Sequence, residues 1–377
     1  MRTETRPTQF VKYDENAGKV LTVVVNVDQS TSANRNREFE VPVNSKLREI
    51  EARIKDEAEL SQYRFCADLS RQFIDSYQPR SKSVMVFTQA NGSVITRELN
   101  VPLETEVCWQ DLPHIRPLVE AGDEFKEILI VLMDGKQSRF LTSHLGIMTE
   151  HPGTVNPFPT SHTQAPGNDK TKSQASFHRK SDEKKHLYLK AAAEMAETIA
   201  ATRSINRIVL AGNNGISKEL YSLLPKTLQQ HVISFEVLQA HATLGEISAV
   251  IAKPRYQAER ENESAKVQTL LDRARSHAAA AVTGIADTTE ALAEGRIHEL
   301  LYAQGMTLSG AACSSCGRIL VTHLTCPKCQ VEVGPLGDAM DLILGAALDS
   351  GARIEQVRGI AAEALMAAGG IGAFLKY

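Results

Sequence analysis

EILIVLMDGKQSRFLTSHLG, residues 127–146, decides the fold of the middle of this chain. The apolar run Ile128–Met133 predicts a buried strand, and the Asp-Gly pair after it predicts a tight turn into a second strand. INRIVLAG (205–212) and HVISFEVL (231–238) predict two more strands, with helical sequence between them. Strands that alternate with helices predict an open, largely parallel sheet. The helix between these two strands is expected to start at Ser217.

A long polar stretch, residues 152–185, interrupts this alternation. It opens with four prolines and two glycines and has no apolar periodicity, so we predict a long loop carried by a helix that starts at Ser181. Its second half is rich in lysine and arginine. One interpretation is a solvated insertion, and the other is a basic finger that reaches into a polyanion.

The length of 377 residues predicts two or three domains, and the charged and apolar fractions are those of a globular protein. A net charge of -3 means that any nucleic-acid contact must come from local basic patches. No apolar run reaches the roughly 20 residues that span a bilayer, and the N-terminal residues lack the apolar core of a secretory signal. We therefore expect a cytoplasmic protein without membrane contact.

The flanking segments predict two further α/β units. In the first, residues 1–122, VLTVVVNVD (20–28) predicts a buried strand, a helix is expected to start at Ser45, and Asn91-Gly92 predicts a hairpin turn. The middle unit is placed at residues 123–255. In the last, residues 256–377, a long helix is expected to break or kink at Pro254, just before the boundary. The predicted fold is therefore three α/β domains in series.

Four of the six cysteines form two CxxC pairs, Cys313 with Cys316 and Cys326 with Cys329. Two such pairs can supply four thiolates in a tetrahedral array, which is typical of structural zinc. An iron–sulfur centre and a redox dithiol are the alternatives. Because all four positions are protein ligands, the zinc is expected to be structural, in a ribbon at residues 308–333 of the third domain.

Several segments resemble the archaeo-eukaryotic peptide-chain release factor and Pelota family. TGIADTTEALAEGRIHELLY (283–302) is similar to the opening of the family's third domain, and ILIVLMDGKQSRFLTSHLG (128–146) to the two strands that open its middle domain. EKKHLYLKAAAEMAETI (183–199) and IVLAGN (208–213) resemble the elements after its catalytic loop. The ribbon insertion and the ending GGIGAFLKY are similar to the bacterial branch. The resemblance covers about residues 126–377 and is weaker over 1–122.

In the release factors of that family, a Gly-Gly-Gln motif in the middle domain enters the peptidyl transferase centre and assists hydrolysis of peptidyl-tRNA. The matching place here is Lys172-Ser173-Gln174, and no Gly-Gly-Gln occurs in the chain. The Asn-Ile-Lys-Ser motif that reads stop codons in the release factors is also absent from the first unit. The resemblance therefore implies a binding factor, and we expect no enzymatic activity.

The resemblance implies a stress-response factor of ribosome hibernation that occupies the A site and inhibits translation. Its first domain would lie at the decoding centre and its basic loop at the rRNA of the peptidyl transferase centre. The implied protein partner is a translational GTPase, elongation factor Tu in its GDP state. The candidate RNA-binding residues are Lys170, Lys172, Gln174, Phe177, His178, Arg179, Lys180, Lys184 and Lys185.

Two other functions are compatible with the sequence. A rescue factor would hydrolyse peptidyl-tRNA through Gln174 despite the missing glycines. An RNA-binding module would act away from the ribosome, because the family's third-domain fold is shared with RNA-binding ribosomal proteins. The sequence has no GxSxG or HExxH motif that would indicate another hydrolase.

Overall fold

The structure is a computed structural model that describes residues 14, 17–154, 170–276, 280–321, 325–333 and 337–376. For residues 170–182, 214, 337 and 338 it describes the backbone alone. The chain divides into two compact units: one is Phe125–Glu259, and the other joins Met1–Glu124 to Arg260–Tyr377. Each unit mixes helices and sheets, which confirms the predicted α/β class.

The N-terminal part of the chain forms a four-stranded antiparallel sheet in the order β3-β2-β1-β4. The strands are β1 (Val20–Asn26), β2 (Ser83–Gln89), β3 (Val94–Leu99) and β4 (Glu106–Gln110). The apolar run at the start of the chain becomes β1, which lies between β2 and β4 and is almost wholly buried. The predicted Asn91-Gly92 turn is confirmed, since it joins β2 to β3 with Gly92 at a φ of +84°.

Among the described residues, four helices lie in this part of the chain: α1 (Ser32–Arg35), α2 (Glu40–Glu51), α3 (Glu57–Ser76) and α4 (Arg116–Glu124). The predicted start at Ser45 is wrong, because α2 begins at Glu40 and Ser45 lies inside it. Phe39, Val43 and Leu47 recur at a spacing of four and pack in the core, which extends the helix upstream. Helix α2 has no side-chain cap, whereas Asp56 caps the next helix, α3: its carboxylate accepts the N–H of Glu59 over 2.8 Å.

The unit Phe125–Glu259 contains a five-stranded sheet in the order β7-β6-β5-β8-β9. The strands are β5 (Ile128–Met133), β6 (Ser138–His144), β7 (Ile147–His151), β8 (Ile208–Gly212) and β9 (Val232–Glu236). The prediction of a largely parallel sheet is correct for two of the four strand pairs and wrong for the other two. β5, β8 and β9 are parallel, but β5, β6 and β7 pair antiparallel because turns of a few residues leave no room for a crossover.

Helices α5 (Lys170–Arg203), α6 (Asn214–Leu223) and α7 (Lys226–Gln229) belong to the same unit. One face of the sheet packs on α5 through Leu189, Ala192 and Ala196. The predicted start of α6 at Ser217 is wrong: Asn213 caps the helix by accepting the N–H of Gly215 over 3.0 Å. Ser217 lies one turn further in and donates its hydroxyl to the carbonyl of Asn213.

The predicted loop over residues 152–185 is too long. Helix α5 begins at Lys170, eleven residues before Ser181, so residues 170–180 have a helical backbone. Between Gly167 and Ser181 the sequence has no glycine or proline, so nothing in the residue types prevents the helix from starting earlier. The remainder of the predicted loop, residues 155–169, lies outside the described residues.

The C-terminal part has its own four-stranded sheet, in the order β10-β16-β11-β15. The strands are β10 (Ala281–Thr283), β11 (Ile297–Ala303), β15 (Arg353–Val357) and β16 (Ile371–Leu375). Only β11 and β15 are parallel among its described pairs. The helices of this part are α9 (Ile285–Ala293), α10 (Ala339–Asp349) and α11 (Gly359–Ala367).

Helix α8 (Leu244–Arg275) precedes this sheet in the chain. It runs through Pro254 without interruption, so the predicted break is absent. Proline removes one backbone hydrogen bond of a helix, and the two flanking segments of α8 are long enough to remain helical. Ile247 and Ile251, near the start of α8, pack on the second face of the middle sheet.

A small three-stranded sheet, in the order β13-β12-β14, is inserted between β11 and α10. Its strands are β12 (Ser309–Ala312), β13 (Ile319–Leu320) and β14 (Gly337–Asp338). Both CxxC pairs lie within this insertion, at the place where the sequence predicts the ribbon.

Candidate functional site

The four cysteines of the insertion converge on one point. The Sγ atoms of Cys313, Cys316, Cys326 and Cys329 all lie within 4.8 Å of one another. Each CxxC pair forms a tight turn of the same kind. The N–H of Cys313 donates to the carbonyl of Arg318, and the N–H of Cys326 donates to the carbonyl of Val331, each over 2.9 Å. The two turns are therefore a pair of matched knuckles, and together they can hold a metal ion.

The spacing of the sulfur atoms fits a tetrahedral metal. Four ligands at the Zn–S distance of ~2.3 Å place neighbouring sulfurs about 3.8 Å apart. The Sγ atoms of Cys316 and Cys326 are 3.7 Å apart. Backbone hydrogen bonds from Cys329 and then Lys328 lower the pKa of the Cys326 thiol to about 7, so the thiolate that binds metal is readily available.

The base of the ribbon packs on the start of helix α10. Leu320 in β13 belongs to the cluster that contains Cys313 and Cys326. Its neighbour Ile319 belongs to the core cluster that contains Met340 and Ile343 of α10. Because successive residues of a strand point to opposite faces, β13 contacts the cysteines on one side and α10 on the other.

The basic segment, which we define as residues 170–185, forms the first half of helix α5. The side chains of seven candidate RNA-binding residues lie outside the part that the structure describes. These residues are Lys170, Lys172, Gln174, Phe177, His178, Arg179 and Lys180. Of the two that are described, Lys185 forms an ion pair of 2.6 Å with Glu219 of α6, and Lys184 is half-buried. Their RNA-binding role stays a prediction.

Tyr188 anchors the basic segment to the middle sheet. Its ring is buried three residues after Lys185, and its hydroxyl donates to the carbonyl of Asp134 at the turn after β5. Burial raises the pKa of Tyr188 to about 12, so the hydroxyl stays protonated and remains a donor. The helix is thus held at the end of the strand with which the middle domain opens.

A buried polar cluster around His114 is a feature that the sequence did not predict. His114 Nδ1 lies 2.6 Å from Asp341 Oδ2 in α10, and its Nε2 lies 3.2 Å from Glu106 Oε2 in β4. The amide of Gln110 also donates to Asp341 Oδ2, over 2.8 Å. Burial alone would lower the pKa of His114, but the hydrogen bonds to the two carboxylates outweigh it and raise the pKa to about 9. The imidazole is therefore charged at neutral pH and donates from both nitrogens.

Further contacts in the same unit join helix α4 to the C-terminal sheet. Asp123 Oδ2 accepts the backbone N–H of Gln356 in β15 over 2.9 Å. Glu120 accepts the hydroxyl of Tyr302 in β11 over 3.1 Å. Burial raises the pKa of the Glu120 carboxyl. Residues 106–124 are thus joined to the C-terminal part through buried hydrogen bonds.

The middle of the chain is a release-factor-like domain. Residues 113–259 match the model of bacterial archaeo-eukaryotic release factor family 10. The match begins just after β4 and ends at the last residue of the unit Phe125–Glu259. The predicted membership of the release factor and Pelota family is confirmed for these residues.

Solved structures of this class are similar to the chain at low identity. Pelota from Archaeoglobus fulgidus is 12% identical, over 80% of this chain and 81% of its own, with a TM-score of 0.37. Dom34 from S. cerevisiae, described as a translation termination-like factor that interacts with Hbs1, is 12% identical over 78% and 80%, with a TM-score of 0.41. Archaeal Pelota in a ribosome-bound model with ABCE1 is 14% identical over 96% and 92%, with a TM-score of 0.44.

A search of the curated proteins finds no match. Within the described residues, every helix is too short or too polar to cross a membrane.

Proposed function

We propose that this chain is a ribosome-binding translation factor that occupies the A site and inhibits translation without hydrolysing peptidyl-tRNA. One observation carries the proposal: residues 113–259 match the model of a release-factor family, yet the chain contains no Gly-Gly-Gln. A domain that keeps the family's fold and lacks its hydrolytic motif is suited to occupy the site rather than to react there.

The backbone at Gln174 supports this proposal. Gln174 lies within α5, and the two residues before it are Lys172 and Ser173 in helical conformation. Glycines in the family's motif give the backbone conformations that other residues reach only at a cost. A lysine and a serine in a helix offer no such freedom. Gln174 therefore lacks the glycine-containing backbone that precedes the catalytic glutamine of the release factors.

The charge of the middle unit supports RNA contact. The whole chain has a net charge of -3, but residues 125–259 contain sixteen lysines and arginines against twelve aspartates and glutamates. This local excess is concentrated in the basic segment, which carries six lysines and arginines. Neutralising phosphates releases counterions, so we expect binding that weakens steeply as salt is raised.

The remaining parts of the proposal extend the family resemblance. Residues 1–122 would lie at the decoding centre, and the basic segment would lie at the peptidyl transferase centre. A translational GTPase, elongation factor Tu with GDP, would bind together with the chain, as in the hibernation factor Balon that the chain resembles. The metal of the ribbon would be zinc, held by the four cysteines as a structural ion.

Ribosome binding by a charge-neutralised variant tests the proposal. Arg179→Gln with Lys180→Gln removes two charges from the basic segment, and Lys218→Gln with Lys226→Gln removes two exposed lysines elsewhere in the same unit. We expect the first pair to weaken binding and to reduce the salt dependence by about one unit of slope per lost phosphate contact. We expect the second pair to leave both unchanged.

The control pair distinguishes local contact from general charge attraction. Equal effects of the two pairs would reduce the basic segment to an ordinary charged surface, and no effect of either would make it a solvated insertion. Inhibition of a reconstituted translation reaction by the unmodified chain is the second readout. A chain that binds ribosomes and stimulates peptide release would instead be the rescue factor.

A further inference from the structure

The ribbon and residues 106–114 of the N-terminal part both contact the first turn of helix α10. Asp341 lies in the first turn of α10, which begins directly after β14 of the ribbon. Asp341 receives hydrogen bonds from His114 and from Gln110, and both belong to the N-terminal part of the chain. The first turn of α10 is therefore bound by the ribbon on one side and by residues 106–114 on the other.

Contacts between the ribbon and α10 are close at the backbone. The N–H of Ala339 donates to the carbonyl of Leu308 over 2.8 Å, just before β12. A Cβ on Gly310 would lie 2.9 Å from the Cβ of Ala339 and 2.5 Å from the carbonyl oxygen of Leu320. The strands of the ribbon thus pack closely against the start of α10. Because close-packed groups have little room to move separately, a shift of β12 or β13 would displace the first turn of the helix.

The knuckles determine where these two strands lie. Cys313 follows β12 directly, and two residues separate Cys316 from β13. Metal binding by four cysteines would therefore hold β12 and β13 together, and metal loss would release them. Structural zinc supplies much of the folding free energy of a small ribbon.

We propose that metal binding in the ribbon holds residues 106–116 in place on the C-terminal part, through β13, the first turn of α10 and the contact between Asp341 and His114. The ribbon would then be a metal-dependent latch between the first and third domains. The inference rests on the proposed metal site and needs no assumption about the ribosome.

Hydrogen exchange of the full chain, followed residue by residue, tests this proposal. The chain is measured with zinc bound and again after removal of zinc by a chelator, with metal content determined in both samples. On metal removal we expect exchange to rise in residues 309–338 and also at least tenfold in residues 106–116, which corresponds to about 1.4 kcal/mol of local opening. The strands β11 and β16 should keep their protection.

Two variants separate this route from general loosening. Asp341→Asn breaks the contact while leaving the cysteines intact, so residues 106–116 should exchange faster with zinc still bound, and removal of the metal should add nothing there. Lys328→Ala changes an exposed side chain of a knuckle and should behave like the unmodified chain.

Each other outcome overturns the proposal. If metal removal affects only residues 309–338, the ribbon folds independently of the N-terminal part. If it also exposes β11 and β16, the metal stabilises the whole C-terminal part and no specific route exists. A chain that binds no zinc overturns the metal site as well, and the metal analysis distinguishes that failure from the first two.

Discussion

Gly317 and Gln330 occupy the same position in the two cysteine knuckles, one residue after the second cysteine of each pair. Both have a left-handed backbone, with φ of +70° and +57°. In each knuckle the N–H of this residue donates to the carbonyl of the first cysteine over 2.8 Å. Glycine adopts this conformation freely, whereas a residue with a side chain is strained by roughly 1–2 kcal/mol.

Gly317→Ala should therefore weaken the ribbon. No atom lies within 4 Å of the added Cβ, so the effect is backbone strain alone, about 1 kcal/mol. We expect metal affinity, measured by competition with a chelator, to fall about fivefold. Gln330→Gly relieves strain but gains freedom in the unfolded chain, and the two effects roughly cancel. Equal losses in both variants would contradict this account.

One zinc ion per chain is the expected result of metal analysis on protein prepared without chelator. Cys326→Ser should lose the metal, because Cys326 is fully buried among the other ligands and backbone hydrogen bonds lower the pKa of its thiol. A structural zinc contributes on the order of 10 kcal/mol to local folding. Cys108→Ser changes a cysteine outside the group and should keep a full complement of zinc. If the unmodified chain and Cys108→Ser both contain no zinc, the proposed metal site is refuted.

Glu259→Gln should strongly destabilise the middle unit. Glu259 is fully buried and forms ion pairs with Arg207, which is also buried, and with Lys126 over 3.1 Å. Loss of the negative charge leaves a buried guanidinium uncompensated, which costs about 3–5 kcal/mol. Denaturant unfolding measures the change, and Glu197→Gln, at an exposed position of α5, is the matched control. A change below 1 kcal/mol would mean that water reaches this pair.

The stability of the unit that contains His114 should fall at alkaline pH. Its pKa is raised from 6.5 to about 9, so the folded state binds the proton more tightly than the unfolded state. The stabilisation is complete below pH 6.5, declines as pH rises, and is lost above pH 9. It amounts to on the order of 3 kcal/mol.

Unfolding measured from pH 6 to pH 10 checks this prediction, with His114→Gln as the comparison. The variant should be less stable at pH 6 and should lack this part of the pH dependence. Identical slopes in the two proteins would assign the pH dependence to other groups.

Release of peptide from loaded ribosomes should stay at background level. The chain has Lys172 and Ser173 where the release factors have two glycines, and both lie in a helix. Gln174→Ala should then change nothing in a peptidyl-tRNA hydrolysis assay. Release that rises well above background and disappears in Gln174→Ala would establish an enzyme.

Local patterns in the sequence predicted the individual elements well. The strand Ile128–Met133 and the turn at Asn91-Gly92 follow from apolar runs and turn chemistry over a few residues. The convergence of the cysteines follows from their spacing. These features depend on contacts between residues that are close in the chain.

The sequence predictions failed where contacts between residues far apart in the chain determine the structure. Helix α2 starts before Ser45 because Phe39 and Val43 pack on a sheet whose other strands lie far along the chain. His114 and Asp341 are separated by 227 residues, and no motif surrounds either of them. A single sequence contains no signal for such a pair, since the two residues meet only when the N-terminal and C-terminal parts of this unit fold together.

Strand β16 lies in the interior of its sheet, between β10 and β11, although it follows both of them in the chain by many residues. During synthesis, β11 therefore has no antiparallel neighbour until residues 371–375 have been made. The N-terminal sheet needs nothing beyond residue 110 to complete its pairing and can form first. A protein proposed to silence ribosomes thus completes its C-terminal sheet only after the ribosome has synthesised residues 371–375.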